Sequence, residues 1–282
     1  MRSDSRLLIW FKMTSKELYL EIVKKGSCLC VGLDTDPHLI PEEMHREDDP
    51  VFAFNRAIID ATHKLAVAYK PNLAFYESQG VKGWRSLEKT VDYIRSTDPS
   101  LFIIADAKRG DIGNTARQYA LTYFVSFDFD AITLAPYMGR DAVDTFLSFP
   151  GKWVVLLGLT SNPGARDFQL QLMDSGRFLY EEVIEISKSW GSVDNLMYVV
   201  GATKSSHLQK IRQIIPDNFL LVPGVGAQGG SLADVMKYGK TAGGGLLINS
   251  SRGIIYASSG SDFAEKAADA ASAVRDEMAM YL

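Results

Sequence analysis

Eight short apolar runs recur along the chain, each followed by a polar or glycine-rich turn and then a longer amphipathic stretch. The runs are "CLCVGLD" (28–34), "AVAYK" (66–70), "LFIIADAK" (101–108), "AITLAP" (131–136), "WVVLLGL" (153–159), "LMYVVGA" (196–202), "FLLVPG" (219–224) and "GLLINS" (245–250). Each is almost continuously apolar rather than strictly alternating, as in parallel strands covered on both faces. Between them "DPVFAFNRAIIDATHKL", "GWRSLEKTVDYIRST", "FLYEEVIEISKSW" and "DFAEKAADAASAVRDEMAMYL" carry helical periodicity. A further helix, "TSKELYLEIVKKG", precedes the first strand, with Thr14-x-x-Glu17 as a capping box and Gly26 as its C-cap. The pattern predicts an α/β fold, a (β/α)8 TIM barrel whose extra N-terminal helix closes the barrel bottom; an open doubly wound sheet usually has only about five to seven strands.

No Pro/Ser-rich linker or shift in composition divides the chain, so residues 13–282 are expected to form a single barrel catalytic domain. Residues 1–12 read as a tail, with a docked amphipathic segment as the alternative. Its apolar stretch, Leu7 to Phe11, falls short of the ~7–15 residues of a signal-peptide core.

A barrel gathers its chemistry at the C-terminal ends of its strands. Polar residues collect there: Asp34 after the first run, Lys70 after the second, Asp106 and Lys108 after the third. Thr160 and Ser161 follow the fifth, Gln228 the seventh, and Asn249 and Arg252 the eighth, whereas the N-terminal ends supply little of this kind. Taken alone, "DAKRGD" reads as a solvated salt-bridging turn. The apolar "LFII" before it places Asp106 and Lys108 in the barrel mouth, where charge must be compensated. Lys70, Asp106, Lys108 and Asp111 then alternate in sign, which holds Lys108 protonated as a proton donor rather than a nucleophile. Arg109 falls outside that set, without a catalytic role.

"VPGVGAQGG" (222–230) has four glycines ahead of the helical "SLADVMKYG". Backbone N–H groups and a helix N-terminus there suit an anion, and Arg252 in "NSSRG" adds a bidentate cation, so a phosphate site is expected after strands seven and eight. "GLTSNPGARDF" is either a turn with capping side chains or a loop that reads a heterocycle, and spacing does not choose between them.

Composition narrows the classes. The 282 residues are 46% hydrophobic and 23% charged with a net charge of −4, which argues against nucleic acid or an anionic membrane and for a small-molecule partner. Cys28 and Cys30, the two cysteines, lie two apart on one strand, which excludes a disulfide framework and points to a reducing cytoplasm. His38, His45, His63 and His207 are scattered without metal-ligand spacing.

Asp106-x-Lys108-x-x-Asp111-Ile112-Gly113-Asn114-Thr115, "LTSNPG", "PGVGAQGG" and "SSRG", in this order, resemble the orotidine 5'-phosphate decarboxylase family over roughly Leu18 to Ser259. "KPN" at 70–72 and the long loop after the first strand are similar to its longer-chain branch. The resemblance implies decarboxylation of orotidine 5'-phosphate to uridine 5'-phosphate, without cofactor or metal. It implies that Lys108 delivers the proton to C6, that Asp106 faces the departing carboxylate, and that Lys70 holds the charge network and contacts ribose. Asp34 would bind a ribose hydroxyl, Ser161 the pyrimidine, and Gln228 and Arg252 the phosphate. Asp111 and Thr115 would reach into a neighbouring subunit's site, making a homodimer with shared active sites. Two rivals stand beside this reading. A magnesium-dependent sugar-phosphate decarboxylase or aldolase would need an acid where Lys70 stands, and a non-enzymatic nucleotide-binding barrel would have little reason to bury alternating charges.

Overall fold

The computed structural model describes residues 13–202, 205–225 and 229–282, so the 1–12 segment lies outside the described residues. All eight predicted runs are strands: β1 (Leu29–Leu33), β2 (Ala68–Pro71), β3 (Phe102–Arg109), β4 (Ala131–Leu134), β5 (Trp153–Leu159), β6 (Leu196–Val200), β7 (Leu220–Pro223) and β8 (Leu246–Ser250). Each pairs in parallel with the next, and β1 pairs with β8 through Leu29 and Ile248, closing the barrel. The helices are α1 (Ser15–Lys25), α2 (Pro50–Thr62), α3 (Leu73–Glu77), α4 (Gly80–Thr97), α5 (Gly113–Leu121), α6 (Asp141–Leu147), α7 (Leu179–Ser187), α8 (Ser205–Ile214), α9 (Leu232–Gly239), α10 (Arg252–Ile255) and α11 (Phe263–Ala279). Helices on the outside and packed side chains within bury both faces of every strand, which is why the strand sequences do not alternate.

α1 begins where the sequence places it. The Thr14 hydroxyl accepts from the Glu17 N–H, the Glu17 carboxylate accepts from the Thr14 N–H at 2.7 Å, and Gly26 ends the helix at φ 57°. Leu18 and Ile22 are buried, and the helix is tied across the N-terminal ends of the strands. Ser15 bonds Asp194 ahead of β6, Lys25 reaches the Ala66 carbonyl ahead of β2 and Asp98 ahead of β3, and the Trp153 indole at the start of β5 donates to the Met13 carbonyl. Trp153 also meets Phe102 and Phe219 edge-on, so one aromatic layer plugs the barrel above α1.

The N-terminal ends are richer in charge than the sequence suggests. Lys152 is 4% exposed and donates to the Phe129 carbonyl; Asp130 accepts from the Ile103 N–H and pairs with Arg95 at 2.5 Å. Arg212 donates to the carbonyls of Gly239, Ile215, Asn218 and Gly245, and burial pushes its pKa down to about 10. These charges satisfy loop and strand-end backbone groups, and their work is closure of the bottom.

Candidate active site

The opposite end is organised by an irregularity in β3. Ile104 and Ala105 pair with Ala131 and Ile132, but the next pair is Arg109 with Leu134, so β3 carries two residues more than β4 across the same interval. Within this bulge Lys108 adopts φ 46°, a left-handed conformation unusual outside glycine and carrying about 1–2 kcal/mol of strain for an L-residue. The bulge re-aims the strand end, and both Asp106 and Lys108 face the mouth. Lys70 Nζ donates to Asp106 Oδ2 at 2.7 Å and Lys108 Nζ to Asp106 Oδ1 at 2.5 Å. Asp34 Oδ1 lies 4.0 Å from Lys70 Nζ. The result is a chain of alternating charge, Asp34, Lys70, Asp106, Lys108, running from β1 to β3.

Burial grades this chain. The side chains of Lys70 and Asp106 are 5% and 10% exposed, and that of Lys108 is 53% exposed. Burial alone would drive Lys70 towards its neutral form, but the negative charges of Asp106 and Asp34 outweigh it and raise its pKa. Burial likewise works against the Asp106 carboxylate, and the charges of Lys70 and Lys108 with their hydrogen bonds bring it down to about 2. At neutral pH Lys70 and Asp106 are both ionised.

Asp34, Lys70 and Asp106 line a cavity of about 150 Å³ with Asn72, Asn249 and Arg252. Gly224, Val225 and Ser250 complete its far wall, so the loops after β7 and β8 meet the charge network across it. Asp34 Oδ1 and Asn249 Oδ1 are buried there without a hydrogen-bond partner among the described residues. Unpartnered acceptors lining a cavity are what a hydroxyl-bearing ligand completes. Two glycines allow the close packing around it. A Cβ on Gly32 would meet Ser251 Oγ at 1.9 Å, and one on Gly201 would meet Ser161 Cβ at 2.7 Å, so β1 and β6 yield space to the residues that follow β8 and β5.

The predicted site residues divide accordingly. Asp34, Lys70, Asp106, Lys108 and Arg252 come together at the mouth. Ser161 stands at the β5 exit against Gly201, and Thr160 is tied by its N–H to Gln169 Oε1 at 2.7 Å. Gln228 lies outside the described residues. Asp111 stands apart from the Lys70, Asp106, Lys108 chain within its own subunit. Among the described residues it pairs with no cation; its Oδ1 accepts from the Ile112 N–H at 2.8 Å, and Asp34 takes its place in the network. Thr115 is exposed on α5.

Asn72 and Thr133 are members that sequence reasoning missed. Asn72 sits in bridge register with Asp106 and lines the cavity, and "KPN" held the only hint of it. Thr133 donates to Asp106 Oδ1 at 3.2 Å, a contact set by inter-strand register that no local motif signals. Cys28 and Cys30 are buried with thiols pushed up to about 12 by burial. Among the described residues no group of three or more His, Cys, Asp or Glu side chains is placed to hold a metal ion.

Residues 27–267 match the family described as orotidine 5'-phosphate decarboxylase / HUMPS. A relative named orotidine 5'-phosphate decarboxylase from Christiangramia forsetii is 60% identical over 96% of this chain and 99% of its own. One of the same name from Flavobacterium johnsoniae is 57% identical over 95% of this chain and 97% of its own. The solved structure of Leishmania donovani OMP decarboxylase superposes with a TM-score of 0.77 at 35% identity, over 94% of this chain and 99% of that one.

Proposed function

The chain belongs to the orotidine 5'-phosphate decarboxylase / HUMPS family, and from that premise we propose how its residues carry out the family's decarboxylation. It converts orotidine 5'-phosphate to uridine 5'-phosphate and CO2, the last step of UMP synthesis. The observation that carries the assignment of roles is that Lys70 and Asp106 line a cavity together with Arg252, while Lys108 pairs with Asp106.

Arg252 and the loop after β7, with Gln228, take the phosphate. Asp34 accepts from a ribose hydroxyl through its unpartnered oxygen, Lys70 donates to the ribose, and Ser161 meets the pyrimidine. This seating turns the C6 carboxylate towards Asp106. The C6–carboxylate bond breaks, its electron pair stays on C6, CO2 departs, and a proton from Lys108 Nζ closes the C6–H bond. The amine left on Lys108 regains its proton from solvent, which its half-exposed position allows. No conjugated sink receives the sp2 pair, so the ammonium already in place where charge develops is the main source of stabilisation. Phosphate binding, remote from C6, supplies energy for closing loops over the reacting carbon. The chain's own groups suffice for this sequence, and we propose that neither cofactor nor metal takes part.

We read residues 13–282 as one catalytic unit working as a homodimer. Asp111 and Thr115 have no task within their own chain's site, and on the segments that follow β3, β4 and β5 Ile112, Tyr137, Met138 and Phe168 are 48%, 92%, 46% and 67% exposed. An apolar rim of this kind at the mouth suits a second copy that takes Asp111 and Thr115 into its site. The buried free thiols favour the reducing cytoplasm as its location. No helix among the described residues is long and apolar enough to cross a membrane.

The assay is the fall in substrate absorbance when orotidine 5'-phosphate is mixed with the protein in EDTA. Steady turnover with uridine 5'-phosphate as product is expected. No turnover, or turnover abolished by chelation, contradicts the proposal.

A further inference from the structure

Lys108 is held by its backbone more than by its side chain. Its Nζ touches Asp106 Oδ1 alone among the described residues, and half of the side chain is open to solvent. Its direction therefore depends on the left-handed φ of 46°, which a lysine leaves for extended backbone unless its surroundings prevent it.

Both polar groups of the peptide joining Ala107 to Lys108 are taken. The Lys108 N–H donates to Thr133 Oγ1 at 2.8 Å, from β4 inside the barrel, and the Ala107 carbonyl accepts from Arg109 Nη1 at 2.9 Å. Thr133 is 1% exposed and its hydroxyl proton points to Asp106 Oδ1 at 3.2 Å, so one hydroxyl fixes both the lysine backbone and its carboxylate partner. Arg109 is anchored in turn. It pairs with Glu77 at the end of α3, donates to the Tyr123 hydroxyl at 2.9 Å, and lies over the Tyr119 and Tyr123 rings at 5.4 and 5.8 Å.

We propose that Thr133 and Arg109 are positioning residues that clamp the 107–108 peptide from its two sides and so aim Lys108 Nζ at the reacting carbon. The inference rests on the decarboxylase reading above. It gives Arg109 a role that sequence alone does not, and it places the control of proton delivery in a backbone peptide. Misplacing a donor by about 1 Å costs on the order of 10²-fold in rate.

The test compares kcat and KM for orotidine 5'-phosphate, and affinity for uridine 5'-phosphate, in the wild type, Thr133→Val, Thr133→Ser and Arg109→Met. Thr133→Val and Arg109→Met are expected to lower kcat about 30- to 100-fold with KM and product affinity within about threefold, the signature of an interaction felt in the transition state. Thr133→Ser, which keeps the hydroxyl, is expected to recover kcat to within about threefold of wild type. Where Thr133→Val does not fold, Arg109→Met carries the same readout. Unchanged kcat in a folded Val or Met variant, or a loss matched by an equal loss of product affinity, overturns the clamp while leaving the decarboxylase reading intact. A wild type without turnover removes both.

Discussion

The site turns on two coupled groups, and their charges make the fold sensitive to acid. Asp106 titrates at about 2 in the folded chain, against about 3.9 for an unperturbed aspartate. A lowered carboxylate pKa contributes stability that is complete above the unfolded value and lost as pH falls through the folded one. Asp98, also at about 2 through Ser100 and Lys25 once its burial is outweighed, adds in the same direction. Urea unfolding is therefore expected to show a loss between pH 5 and pH 2, with Asp106 accounting for about 2 kcal/mol and Asp106→Asn flattening the slope. An unaltered slope in that variant contradicts the coupling. Lys70, raised by the charges of Asp106 and Asp34 against its burial, acts in the opposite sense, its contribution present below about 10.4 and lost above the folded value. At this scale Lys70, Asp106 and Lys108 were legible because each ends an apolar run. Thr133 was not, because what makes it polar in purpose is a partner on another strand.

Among elements, the exit of β1 shows how the scaffold holds a site residue without touching substrate. Asn55 on α2 is fully buried, and its Oδ1 accepts from Thr35 Oγ1 at 2.6 Å while its Nδ2 donates to the Tyr76 hydroxyl and to Thr90 Oγ1. The Tyr256 hydroxyl donates to the Asp34 carbonyl and accepts from the Asp36 N–H at 2.7 Å. Both networks fix the backbone that carries Asp34. Asn55→Leu leaves several buried groups unpaired, so it is expected to destabilise the fold by about 2–4 kcal/mol in urea titration and to raise KM more than it lowers kcat. Loss of kcat alone would speak against this supporting role. Neither network was legible in sequence, since Thr35, Asn55, Tyr76 and Tyr256 are far apart along the chain. The α1 capping box was, because Thr14 and Glu17 sit three residues apart. The β3 bulge also escaped sequence reading. A two-residue register shift leaves no trace in an apolar run.

For the whole molecule, eight strand-helix units were enough to read the barrel, because continuous apolar runs have few other uses. The proposed partner chain has a weaker signature: exposed Tyr137 and Phe168, and an Asp111 that pairs with no cation among the described residues. If sites are shared, mixing equal amounts of Lys108→Ala and Asp111→Ala, each nearly inactive alone, yields mixed dimers with one intact site and up to about a quarter of wild-type activity. No recovery after subunit exchange contradicts sharing. The most direct measurement is kcat for orotidine 5'-phosphate in Lys108→Ala beside the wild type, with uridine 5'-phosphate affinity as the control for an intact site. A fall of at least about 10³-fold with product still bound is expected of the proton donor; undiminished turnover would contradict its role.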